Sequence, residues 1–259
     1  MTVAAGRRNI IGIVGGVGPY AGLDLMKKVF DNTLSACDQD HVDALLFSLP
    51  SGIVDRTEYL EGREEQNPAE AIFGVLSRLE AAGATVAGIP CNTAHAAPIF
   101  ELIREKLDSA GSRIRLLHMI NETVDFIKTA LPDLRKIGVL STSGTFHSRV
   151  YQDSLESVSY EVLLPSEEMQ EKLIHPAIYD EEYGIKSVSF PVHPQALQNL
   201  ETGLNYLEAL GAEAVILGCT EIPMALQESA GKGIIAIDPT QILARALIKH
   251  AFPDKLKPL

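Results

Sequence analysis

At 259 residues, with 46% hydrophobic and 22% charged side chains, the chain has the make-up of a soluble globular protein with room for one large domain or two small ones. A net charge of −12 argues against nucleic acid or an anionic membrane as partner, but leaves room for a small acidic substrate held by local cations or helix N-termini. The apolar segment from Ile10 to Met26 is broken by Gly18, Pro19 and Asp24 and falls short of the roughly 20 residues a membrane span needs. Cys37, Cys91 and Cys219 cannot all pair, and nothing reads as a secretory signal, so a cytoplasmic protein with reduced thiols is expected.

In chain order, short apolar runs predict strands at 9–14, 43–49, 84–89 and 114–118, and amphipathic stretches predict helices at 19–33, 68–82 and 94–110. The pattern then starts again. Strands are predicted near 136–141, 160–164, 213–218 and 233–237, with helices near 145–156, 167–178 and 194–210. A last helix, 239–251, follows Asp238 and is expected to return to the first half. Alternation of this kind predicts parallel sheets covered on both faces. The expected fold class is α/β: two similar domains, each a parallel sheet flanked by helices, related by pseudo-symmetry with the site in the cleft between them. The expected division is 1–120 plus 231–259 for one domain and 121–230 for the other.

The halves also match residue by residue. LEAAGATVAGIPCNT (79–93) aligns without gaps on LEALGAEAVILGCTE (207–221), and Cys91 falls on Cys219. IIGIVGGVGPY (10–20) pairs with KIGVLSTSGTF (136–146), with Gly12 on Gly138 and Gly18 on Gly144. Ligands of open parallel sheets bind outside the carboxyl ends of the strands, where both cysteines sit. Facing halves would therefore set two thiols across one cleft.

Several chemistries suit such a pair. A disulfide is disfavoured in a reducing compartment. Without CxxC spacing or a histidine cluster the two sulfurs make a poor tetrahedral zinc set, although His95 lies four residues from Cys91. Simple burial would leave the polar residues after each sulfur unexplained. Two-base proton transfer suits the pair: inverting a carbon centre takes a proton from one face and returns one to the other. A cysteine pKa near 8.5 needs only a modest reduction for this, and helix-end amides are expected to favour the thiolate at both positions. Asn92, Thr93, Thr220 and Glu221 can hydrogen-bond the sulfurs or a substrate. The loop GGVGPYA also fits GxGxxA, but Pro19 is awkward there and no acidic residue ends the second strand, so close backbone approach is the better use of its glycines.

With GGVGP (15–19), IVDRTEYL (53–60), PCNTAHA (90–96), STSGTF (141–146) and GCTE (218–221) in this order, the sequence resembles the aspartate/glutamate racemase family, and its aspartate racemase branch most of all. The resemblance implies an amino-acid racemase free of pyridoxal phosphate, metal or any other cofactor. It implies Cys91 and Cys219 as the two bases, with the first working on the D-enantiomer. By the same resemblance Asn92 and Thr93 hold the α-carboxylate and amine region, and Arg56 engages the side-chain carboxylate. Lys186 reaches that same carboxylate, Thr220 completes the second thiol loop, and Gly16, Ser141 and Thr142 join the substrate-binding set. A homodimer is a family expectation.

Glutamate racemases usually carry histidine where Glu221 stands, and Asp-Ser where Gly15 and Gly16 stand, which favours aspartate over glutamate here. A two-domain sensor without catalysis and a superfamily isomerase or decarboxylase of a small diacid are the alternatives.

Overall fold

The computed structural model describes residues 9–226 and 234–259. The first half contains β1 (Ile11–Gly15), α1 (Pro19–Asp31), β2 (Ala44–Ser48), α2 (Arg56–Leu60), α3 (Ala69–Ala81), β3 (Val86–Gly88), α4 (Ala97–Ser109) and β4 (Arg115–Leu116). After α5 (Met119–Ala130) come β5 (Lys136–Ser141), α6 (Ser143–His147), α7 (Val150–Glu156), β6 (Glu161–Leu163), α8 (Glu167–Met169), α9 (His175–Tyr179), α10 (Pro194–Ala209), β7 (Ala214–Gly218) and α11 (Ile222–Leu226). β8 (Ile235–Ile237) and α12 (Pro239–Ala251) complete the set, and a π turn at Gln170–Ile174 joins α8 to α9. Among the described residues no helix is long and apolar enough to cross a membrane.

Two all-parallel sheets form, in the orders β2-β1-β3-β4 and β6-β5-β7-β8. The second repeats the first, strand for strand. Every residue of β1 and β7 is buried, as strands covered on both faces require. The duplication reaches individual contacts. A Cβ on Gly12 would sit 3.4 Å from Leu79, and one on Gly138 would sit 3.1 Å from Leu207, the residue aligned with Leu79. In both halves a strand glycine makes room for the same helix leucine.

The closing helices are exchanged between the halves. Helix α12 follows the last strand of the second sheet but packs Leu243, Leu247 and Ile248 against Ile11, Ile13 and Val86 of the first. Helix α5 follows the last strand of the first sheet and packs Ile120, Val124 and Ile127 against Ile137, Val139 and Ile216 of the second. The return of 239–251 matches the sequence reading, whereas α5 lies outside every predicted element. Its N-cap is His118, whose Nδ1 accepts from the Asn121 amide at 3.3 Å, rather than one of the short polar residues that mark helix starts.

Three further expectations change. The expected domain boundary at 230–231 lies outside the described residues, and β8 pairs with β7, so the return to the first sheet begins only at α12. The predicted helix 145–156 is two helices, broken where Arg149 takes a left-handed backbone with φ 56°. Helix α4 starts at Ala97 rather than 94, because Ala96 is extended and the preceding residues form a tight 3₁₀ turn, Thr93–His95, that shapes the Cys91 loop.

Candidate active site

Cys91 follows β3 and Cys219 follows β7, the equivalent central strands, and both sulfurs sit at carboxyl ends. They are 7% and 6% exposed, and all three cysteines of the chain are unpaired. The Cys91 loop is pinned from behind by His95, whose Nδ1 lies 2.8 Å from the Cys91 carbonyl oxygen and whose ring stacks on Phe100. Burial pushes the His95 pKa down to about 3, so it serves as a neutral brace.

The two halves meet around these loops. Tyr151 donates to Asn92 Oδ1 at 2.6 Å, and the Thr93 hydroxyl lies 2.8 Å from that of Thr145 and 3.2 Å from that of Thr142. The Asn92 amide nitrogen is buried without a hydrogen-bond partner. Thr142 also caps α6 by accepting from the Thr145 amide, and the Ser141 hydroxyl bonds the Thr142 carbonyl at 3.3 Å. Thr142 thus helps hold the second half's loop against the first, whereas Ser141 braces the loop from within its own half.

A cavity of ≈ 240 Å³ lies between the halves, walled by Gly16, Gly18, Asp55, Arg56, Lys186 and Glu221 among others; Cys91, Cys219, Asn92, Thr93, Thr220, Ser141 and Thr142 are not among its lining residues. Arg56 is 6% exposed and donates to the carbonyls of Val17 at 2.7 Å and Val54 at 3.2 Å, leaving Nε unpartnered. Burial opposes its charge, but the neighbouring Cys91 and Asp55 outweigh that and hold the guanidinium above its ordinary pKa. Asp55 caps α2 and accepts from the Tyr179 hydroxyl at 2.9 Å, a bond that also crosses between the halves. Lys186 Nζ lies 5.2 Å from the centre of the Tyr179 ring and donates to Glu221 Oε1 at 3.1 Å.

Glu221, for which the sequence suggested no definite role, gathers three donors of the site. At 4% exposed it accepts from the Cys219 thiol at 3.0 Å, from Thr220 at 2.9 Å and from Lys186. Burial pushes its carboxyl up, but Lys186 and these donors prevail and bring the pKa down to about 2. Burial and the Glu221 charge push Cys219 well above its ordinary value. The expectation that helix-end amides favour a thiolate at both sulfurs therefore fails at Cys219. Burial of the sulfur and a carboxylate 3.0 Å away outweigh the nearby Glu221 backbone amide, which favours the thiolate.

Gly18 explains one feature of the glycine loop. Its φ is 141°, and a Cβ there would lie 2.8 Å from Glu221 Oε1, so the first half's backbone closes directly over the second half's carboxylate. Among the described residues no group of three or more His, Cys, Asp or Glu is placed to hold a metal ion.

The chain belongs to the Asp/Glu/hydantoin racemase family, whose sequence profile matches residues 14–247, and its twin parallel-sheet halves repeat the fold of a solved aspartate racemase. It is accordingly an isomerase. It is 26% identical over 247 residues to the broad specificity amino-acid racemase RacX of Bacillus subtilis, covering 92% of this chain and 96% of that one. The Picrophilus torridus aspartate racemase superposes with a TM-score of 0.78 at 30% identity, covering 96% of both chains. Glutamate racemase of Francisella tularensis, solved with D-glutamate, shares the fold with a TM-score of 0.63 at 18% identity, over 96% of this chain and 82% of that one.

Proposed function

We propose that the enzyme racemises a small acidic amino acid, aspartate ahead of glutamate, with Cys91 and Cys219 as a facing acid/base pair and without pyridoxal phosphate or metal. The observation that carries this reading is the pair of buried thiols, neither in a disulfide, at equivalent strand ends of the two halves. Each half adds a cation to the same cavity wall, Arg56 from the first and Lys186 from the second. Arg56 takes the side-chain carboxylate through its planar donors. The free Asn92 amide, Thr93 and Thr220 orient the α-carboxylate and amine, and Lys186 supports the distal carboxylate. Gly16, Ser141 and Thr142 shape the loops that bring the halves together over the substrate. A cytoplasmic homodimer is part of the same proposal and rests on the family resemblance and the unpaired cysteines.

A broader substrate range is the second reading. It is favoured by the charge of the cavity wall, where the carboxylates of Asp55 and Glu221 balance the two cations. Relatedness to a broad specificity racemase points the same way. A panel of L-amino acids incubated in D₂O, read by NMR for loss of the Cα proton, separates these outcomes. Fastest exchange with aspartate supports the first reading, and comparable exchange across neutral and acidic side chains supports the second. No exchange with any amino acid would defeat both.

A further inference from the structure

The two thiol loops are equivalent in position but not in chemistry. In the ungapped repeat Glu221 aligns with Thr93, so the residue two places after each sulfur is a carboxylate in one half and a hydroxyl in the other. Thr93 turns to Thr142 and Thr145, whereas Glu221 turns to the sulfur itself. The charged groups acting on Cys219 are Glu221 and Lys186, and Cys219 also packs in the apolar core of the second half. Cys91 instead has the Arg56 guanidinium beside it. Gly18 and Thr220 fix the Glu221 carboxylate from two further sides.

We propose that Glu221 is a positioning residue that keeps the proton on Cys219, so that this sulfur enters the half-reaction as the acid opposite Cys91. The inference rests on the two-thiol reading above. In the corresponding half-reaction the Cα–H proton passes to the Cys91 sulfur and its electron pair stays on carbon. The Cys219 S–H proton then forms the new C–H bond on the opposite face, leaving Cys219 as thiolate and Cys91 as thiol. Both enantiomers have the same free energy, so Glu221 cannot bias the overall equilibrium. What it sets is the resting protonation state of Cys219. It thereby prevents ionisation of both thiols, a form with two bases and no acid.

The test is alkylation of the intact protein with iodoacetamide, followed by peptide mass spectrometry of Cys91 and Cys219 across pH. Only the thiolate reacts. In the wild type, Cys219 alkylation should keep rising beyond about pH 8.5, the ordinary thiol value, without reaching a plateau. In Glu221→Gln it should accelerate about tenfold at neutral pH, the effect of lowering the thiol pKa by about one unit, with Cys91 changed less than twofold. The alkaline limb of kcat/KM should move to lower pH in the same variant, because Cys219 must be protonated to act as the acid and would lose its proton sooner. A Cys219 plateau below pH 8 in the wild type would overturn the proposal, with no variant required. So would a folded Glu221→Gln protein with unchanged Cys219 reactivity. Alkylation needs no turnover, so failure of the racemase reading would show separately, as absent Cα exchange.

Discussion

Replacing either Cys91 or Cys219 by alanine is expected to abolish racemisation, a loss of about 10⁴-fold at the upper end of what one acid/base group contributes. In the proposed mechanism each sulfur serves one face of the α-carbon, so neither can stand in for the other. The surviving thiolate can still remove a proton and return deuterium to the same face. Each variant should therefore label one enantiomer without inverting it, Cys91 acting on the D-form and Cys219 on the L-form. Residual labelling by the Cys219-only variant should be the weaker, since Glu221 holds that sulfur protonated. Chiral chromatography with mass detection reads both quantities. A variant that retains near wild-type racemase activity would refute the two-base account.

The second large effect is expected at Arg56. On sequence alone, Arg56→Ala weakens acidic substrates and leaves the thiols competent. The structure adds a second consequence, because the guanidinium also lies beside Cys91. Removing one partner of a buried charge pair costs roughly 3–5 kcal/mol, so kcat/KM for acidic substrates should fall by about 10²–10⁴. The loss should appear in kcat as well as KM. Lysine at this position should recover little, since it lacks the fork that reaches the Val17 and Val54 carbonyls while presenting a face to a carboxylate. Unchanged steady-state kinetics for aspartate and glutamate would place Arg56 outside the site.

Much of this architecture was legible in the sequence because it was written twice. Cys91 and Cys219 stand at one offset in two copies of a βα unit, and the two sheets carry the same strand order. Helix α12 announced itself through Asp238, which accepts from the Thr240 and Gln241 amides at 2.8 and 3.3 Å. Its counterpart α5 did not, because a histidine caps it. The electrostatics of the site were hidden for a different reason. Lys186 and Glu221 are 35 residues apart, and Asp55 and Tyr179 are 124 apart, so neither pair leaves a local pattern. Gly18 could be read as a site of close approach, but not that a carboxylate from the other half fills the space. Duplication made the pair of thiols visible. The difference between them comes from the groups each half folds around its own sulfur, Glu221 and Lys186 at Cys219 and Arg56 at Cys91.

The account's central claim is that two thiols act on opposite faces of one carbon, and the wild-type enzyme tests it most directly. L-Aspartate, or whichever L-amino acid exchanges fastest, is incubated in D₂O and the reaction stopped at a few per cent conversion. The enantiomers are then separated and deuterium at Cα measured in each. Two facing bases predict a fully deuterated D-product and an unlabelled remaining L-substrate, because the proton leaves to one sulfur and the deuteron arrives from the other. Deuterium entering the unreacted L-substrate as fast as it enters the D-product would mean that a single base serves both faces, and would contradict the account.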